Sequence, residues 1–314
     1  MKSRDHLDLA SHHILDGGMA SELEFLGADI SGPLWSAHVL EAEPEKILAV
    51  HRAYLEGGAD ILLTASYQVS RKGYAEFGLD PARADDALLR SVEIARQTCK
   101  EFPDRRILIA ASLGPYGAAL HNGAEYHGNY DCSHAELVEF HRSRIAVLAE
   151  SDPETGPDLL AFETLPSLPE VRAIGEALEP WPNLAAWFCF NSPDHRAPGL
   201  QIAHGELLRD CAAVVASFPQ TVAIGLNCTQ PRWLPILIPE LKVASNKPIV
   251  LYPNSGEGWD AENRCWTELP DGPGNSSESF AQQSKQWFAA GAQIIGGCCR
   301  TRPAHIRAIT EALR

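Results

Sequence analysis

Two adjacent cysteines, Cys298 and Cys299, sit in the stretch Ile294-Ile295-Gly296-Gly297-Cys298-Cys299-Arg300-Thr301. Neighbouring cysteines are awkward to cross-link to each other. A sharply bent backbone can nevertheless aim both thiolates at one soft cation, and the two glycines before them permit that bend. A third cysteine, Cys228, follows another apolar run in Gly225-Leu226-Asn227-Cys228-Thr229. Three thiolates with no evident fourth protein ligand describe a zinc site with one tetrahedral position open to a substrate. Neither HExxH nor a paired-histidine spacing occurs among the twelve histidines, so an imidazole site has no support. Two plainer readings compete for Cys298-Cys299: a buried apolar pair, or a vicinal disulfide acting as a redox or metal-sensing switch.

The elements that must position these thiols alternate along the chain. Short apolar runs of the kind buried on both faces of a parallel sheet occur at 13–15, 61–64, 107–110, 159–162, 185–188, 222–225, 249–251 and 293–295. Helical patterns lie between and after them at 45–56, 83–101, 134–150, 168–178, 205–217, 277–290 and 303–313. Ser133 with Glu136 makes a capping box, while Gly57-Gly58 and Gly291 stop helices. Eight such units predict a (β/α)8 TIM barrel formed by residues 1–314 as a single domain. A doubly wound sheet fits less well, because no GxGxxG follows the first strand. The polar stretch 254–277 reads as one long βα loop.

Barrel enzymes place their chemistry at the carboxyl ends of the strands. Here those ends carry Asp16, Tyr67, Ser112, Glu163, Asn191, Cys228, the run Asn254-Ser255-Gly256-Glu257, and Cys298-Cys299. Strands six and eight thus deliver all three thiols to one rim. Glu163 is a functional residue by its strand-end position, or else a buried acid paired with Arg300. Asp16 is a ligand for substrate, or else the cap of the first βα turn. Tyr67 and Asn254 either touch substrate or shape their loops.

Hydrophobic residues make up 45% of the 314, enough for a large core, and the net charge is −15. Lysines and arginines are not clustered, which argues against nucleic acid and anionic membrane as partners. Neither a signal core nor a bilayer-length apolar run is present, so a cytoplasmic setting is expected. There the eight cysteines stay reduced. Cys99, Cys189 and Cys211 read as small core residues, whereas Cys132 and Cys265 lie in polar segments without an evident partner.

Taken together, Gly225-Leu226-Asn227-Cys228-Thr229 and Gly296-Gly297-Cys298-Cys299-Arg300-Thr301 closely resemble the zinc-dependent homocysteine S-methyltransferase family. The opening Leu15-Asp16-Gly17-Gly18 with Ser21-Glu22-Leu23-Glu24 and Leu34-Trp35-Ser36 is similar to that family's. So are Thr64-Ala65-Ser66-Tyr67-Gln68 and Glu125-Tyr126-His127-Gly128-Asn129-Tyr130. Tyr252-Pro253-Asn254-Ser255-Gly256-Glu257 resembles the branch that uses S-methylmethionine or S-adenosylmethionine rather than betaine or cobalamin. The resemblance implies methyl transfer from a sulfonium donor to homocysteine, giving methionine. It implies one zinc per chain on Cys228, Cys298 and Cys299, with Glu163 and Asp16 as substrate-binding acids. Residue type and loop position add Ser255 and Glu257 as polar contacts, backbone N–H groups near Gly17-Gly18 or Ser255-Gly256 for a carboxylate, and Tyr67, Tyr126 or Trp259 as faces for the sulfonium.

Overall fold

The computed structural model describes residues 7–30, 36–193, 199–260, 265–267 and 276–314. Leu34, Trp35 and the side chain of Trp259 lie outside them. The strands, in chain order, are β1 (His13–Ile14), β2 (Ile61–Leu63), β3 (Leu108–Leu113), β4 (Leu159–Leu165), β5 (Ala186–Phe190), β6 (Thr221–Asn227), β7 (Ile249–Tyr252), β8 (Gly258–Asp260), β9 (Cys265–Thr267) and β10 (Ile294–Ile295). Eight of them form one parallel sheet in the order β1-β10-β7-β6-β5-β4-β3-β2. A parallel bridge from Leu15 to Ile61 joins the two ends, with Asp16 N–H donating to Ile61 O at 3.1 Å. The expected (β/α)8 barrel is therefore present, with its strands in sequential order round the ring.

The continuous apolar runs have a simple cause. Alternate residues of each strand point to opposite faces, and both faces are covered. Inside the ring, Leu15, Ile61, Leu108, Leu159, Trp187, Val250 and Ile294 pack as one cluster. Outside it, Phe162, Phe188, Phe190, Ile224 and Leu251 pack against the helices. Trp187 fills the barrel beneath the carboxyl-end rim, its ring 6.3 Å from that of Tyr252. The same inward alternation carries Glu163 two residues beyond Ala161, and Cys298 four beyond Ile294.

Helices Leu168–Leu178 and Pro303–Leu313 occupy the predicted spans, and Ser133 with Glu136 closes the capping box of helix His134–Ala149. Other spans differ, and Leu234–Ala244 is a helix that the patterns above did not mark. The helix expected from 205 begins at Leu208, because residues 199–207 fold back through a bridge between Gln201 and Leu207. The segment read as one loop contains an antiparallel hairpin, β8 with β9. Its flanking Gly, Pro and Asn residues hide the short strands from a pattern reading.

The histidines contain a surprise. His51, on helix Pro44–Glu56, is fully buried and neither ring nitrogen has a hydrogen-bond partner. Burial lowers it to about 4. His141 is buried too and lowered to about 4, chiefly by burial, although it donates from Nε2 to Glu170 at 2.9 Å. Both stay neutral in the folded chain and take up protons readily near 6.5 once unfolded. Stability present above pH 6.5 is therefore lost as pH falls toward 4, by about 3 kcal/mol per histidine. Denaturant unfolding of His51→Leu at equal metal loading is expected to lose about 2 kcal/mol less than the parent between pH 7 and pH 5. Equal losses would remove His51 from this account.

Candidate metal centre

The carboxyl ends of β6 and β10 bring the three cysteines together. Cys228 Sγ lies 3.6 Å from Cys299 Sγ, Cys298 Sγ lies 4.0 Å from Cys299 Sγ, and all three fall within 4.8 Å of one another. None is in a disulfide. A tetrahedral ion with metal–sulfur bonds near 2.3 Å sets its sulfurs about 3.8 Å apart, so the donor atoms and their spacing fit a thiophilic ion. Among the described residues this is the group of metal-capable side chains that meets at such distances. Hydrogen bonds from Cys228 and Cys299 hold the Cys298 thiol well below its ordinary range, and the bond to Cys298 pushes Cys228 up.

The backbone reaches this arrangement differently from the expected glycine bend. Neither Gly296 nor Gly297 has a positive φ; the left-handed residues are Cys228 at 47° and Arg300 at 65°. The glycines serve close approach instead. A Cβ on Gly296 would stand 2.6 Å from Asp16 O, and one on Gly297 would stand 2.3 Å from Thr301 Oγ1. Hydrogen bonds lock the loops: Cys228 N–H donates to Tyr252 O at 3.2 Å and Cys298 N–H to Pro253 O at 2.8 Å. Thr301 Oγ1 donates to Cys298 O at 2.7 Å and accepts from Gly18 N–H at 3.1 Å. Strain at a functional cluster needs this over-determination.

Glu163 and Asp16 face the cluster from β4 and β1. Glu163 is buried and accepts a hydrogen bond from Ser112 Oγ. Burial pushes its carboxyl up to about 8; the Ser112 bond opposes this and the charge of Cys298 adds to it. It does not pair with Arg300, which binds Glu257 at 2.8 Å and reaches Glu24 at 3.9 Å. Its aim depends on a register shift between Phe162 and Leu165, where Thr164 adopts φ 56°. Asn227 holds that irregularity, accepting from Thr164 N–H at 2.6 Å and donating to Thr164 Oγ1 at 2.8 Å. Asp16 does not cap its own turn. Its Oδ2 accepts from Leu63 N–H of β2 at 2.9 Å, and its buried Oδ1 has no partner. Burial first, then the charges of Glu163 and Cys298, hold its carboxyl well above the usual range, against the Leu63 bond.

The remaining candidates divide. Tyr67 is half-buried, and its hydroxyl feels the charges of Glu125, Cys228 and Glu163. Asn254 is buried; its N–H donates to Thr229 O at 3.1 Å, while its Oδ1 lacks a partner. Ser255 and Glu257 are committed within the protein. Ser255 N–H donates to Cys299 O at 3.0 Å and its Oγ to Glu257 Oε2 at 3.1 Å, so Glu257 already has two partners with Arg300. The backbone N–H groups of Gly18 and Ser255, offered above for a carboxylate, are thereby both occupied. Sequence reading placed no role on Asn227, Thr164 or Ser112, although strand alternation through Glu163 pointed at this layer.

The chain and its barrel have relatives among known proteins. Residues 13–313 match the family described as homocysteine S-methyltransferase. The homocysteine S-methyltransferase YbgG of Bacillus subtilis is 43% identical over 309 residues, covering 96% of this chain and 94% of that protein. A selenocysteine Se-methyltransferase of Brassica oleracea is 42% identical, covering 98% of this chain and 90% of that one. The metallated form of the Escherichia coli homocysteine methyltransferase MmuM superposes with a TM-score of 0.82 at 38% identity, covering 98% of this chain and 97% of that one. The chain belongs to the homocysteine S-methyltransferase family.

Proposed function

We propose that this protein transfers a methyl group from a sulfonium donor, S-methylmethionine in the first place, to L-homocysteine, using one zinc held by Cys228, Cys298 and Cys299. The observation that carries this reading is the convergence of three thiols at 3.6 and 4.0 Å on the catalytic rim of the barrel. Bound zinc would keep the homocysteine thiol ionised and nucleophilic at neutral pH. The acceptor sulfur gains the methyl carbon as the donor's S–CH3 bond breaks. The bonding pair returns to the donor sulfur, which becomes a neutral thioether, and two methionines result.

The protein's own groups orient both partners. Glu163 and Asp16, buried beside Cys298, receive the homocysteine ammonium; both carboxyls are held up by burial, and an incoming cation restores their ionised form. Ser112 steers Glu163 through its hydrogen bond. Tyr67 and Tyr126 border the thiols on the Cys228 side, where an aromatic face favours a sulfonium.

Metal analysis of reduced protein is expected to give one zinc per chain, and a donor screen with homocysteine to give methionine from S-methylmethionine well above betaine. Absence of bound metal from fully reduced protein, or a preference for betaine, refutes the proposal. Glu163→Gln is expected to raise the KM for homocysteine at least about 10-fold, the range of a hydrogen bond to a charge, while zinc content stays unchanged. Zinc loss in that variant would contradict the role given to Glu163.

A further inference from the structure

Asp16 and Glu163 lie on the Cys298 side of the thiols. Glu125 is a further buried acid, beside the tyrosines on the Cys228 side. It is the middle residue of a 3-10 turn, Ala124–Tyr126, in the connection from β3 to helix His134–Ala149. Gly117 lets that turn close, since a Cβ there would stand 2.4 Å from Glu125 N. Asn191, beyond β5, donates from Nδ2 to Glu125 O at 2.9 Å. So clamped, Glu125 is only 6% exposed, and its Oε2 is buried with no hydrogen-bond partner. Neither Lys nor Arg is among the groups that set its charge; burial dominates, and only its own backbone opposes. Its charge acts on the hydroxyls of Tyr67 and Tyr126, and Tyr126 Oη lies 3.8 Å from Cys228 Sγ.

An unpartnered buried carboxylate oxygen is costly, a cost relieved when a ligand supplies the missing cation. The reaction brings two amino acids to one rim, each with its own ammonium. One acid station beside Cys298 serves one of them. Glu257 is a poor second station, because Arg300 at 2.8 Å already neutralises it. We infer that Glu125 is the donor station: its free carboxylate oxygen receives the ammonium of the sulfonium donor, and the Tyr67 and Tyr126 rings line the path from there to the thiols. This rests on the sulfonium-donor reading above. It adds that the enzyme selects donors carrying an ammonium as well as a sulfonium.

The test uses the zinc-loaded full chain with S-methylmethionine and with dimethylsulfoniopropionate, a sulfonium carboxylate lacking the amino group. Glu125→Gln is expected to raise the KM for S-methylmethionine at least ~10-fold, the range of a hydrogen bond to a charge. The KM for homocysteine, the zinc content and the KM for dimethylsulfoniopropionate should not change. Glu125→Asp keeps the charge with a shorter reach, and should raise the S-methylmethionine KM by a smaller factor. An unchanged S-methylmethionine KM in both variants, or equal rises for either other substrate, overturns the assignment. If Glu125→Gln is insoluble, Glu125→Asp and the two donors decide it in the same way. A parent enzyme that uses no sulfonium at all sinks the underlying reaction instead, and shows this before any variant is made.

Discussion

Cys228→Ser is expected to leave a folded barrel that retains no stoichiometric zinc and turns over at least about 100-fold more slowly. Structural zinc sites bind with roughly 10–16 kcal/mol spread over four ligands, so one ligand is worth about 3 kcal/mol or more, over a hundredfold in affinity. The substitution is nearly isosteric, and Cys228 sits past the end of β6 rather than in the packed ring. Circular dichroism should therefore match the parent while metal analysis does not. Cys298→Ser and Cys299→Ser should behave alike, because each removes one corner of the same cluster. Cys211→Ala is the matched control. It is a buried free cysteine packed in the helix layer, and its loss should cost some stability but no metal. A Cys228→Ser protein with one zinc per chain and parental turnover would remove Cys228 from the ligand set.

That three cysteines would meet was readable because two independent patterns agree. Apolar runs ending at Gly225 and Ile295 predict strands, and a barrel brings the ends of such strands to one rim. What could not be read is how the chain bends there. Thr164, Cys228 and Arg300 adopt left-handed φ values that residues of their type avoid, and only surrounding bonds such as Asn227 to Thr164 hold them. The glycines at 296 and 297 were readable as special but not for the right reason: they make room for Asp16 O and Thr301. Solvation is equally hidden. Glu257 and Glu125 are both acids in polar segments, yet one is ion-paired with Arg300 and the other is buried with an unpartnered oxygen. Partner counts of this kind arise from tertiary contacts, between the β3 and β5 loops for Glu125 and between the β7 and β10 loops for Glu257, which no local pattern encodes.

Gly225→Ala is expected to abolish soluble folded protein or lower stability by at least about 3 kcal/mol, a larger effect than a typical core substitution. Gly225 lies in the middle of the β6–β7 pairing, aligned with Val250. A Cβ at that position would stand 1.7 Å from Val250 O and 2.7 Å from Val250 C. The obstacle is backbone on a neighbouring strand rather than a flexible side-chain end, so no rotamer change relieves it. Relief requires β6 and β7 to separate, and that separation runs straight into the metal centre. Cys228 N–H is held by Tyr252 O at 3.2 Å, at the β7 end, and Cys298 N–H by Pro253 O at 2.8 Å, just beyond it. Any fraction that folds should therefore bind zinc more weakly as well. Gly27→Ala provides the contrast: nothing lies within 4 Å of a Cβ there, and its φ of 72° imposes only a conformational cost, about 1–2 kcal/mol. Denaturant unfolding of the two variants side by side, with zinc content measured on each, separates the causes. A Gly225→Ala protein that unfolds within 1 kcal/mol of the parent would show that β6 and β7 can part without cost, contrary to the close-packed ring proposed to hold the thiols.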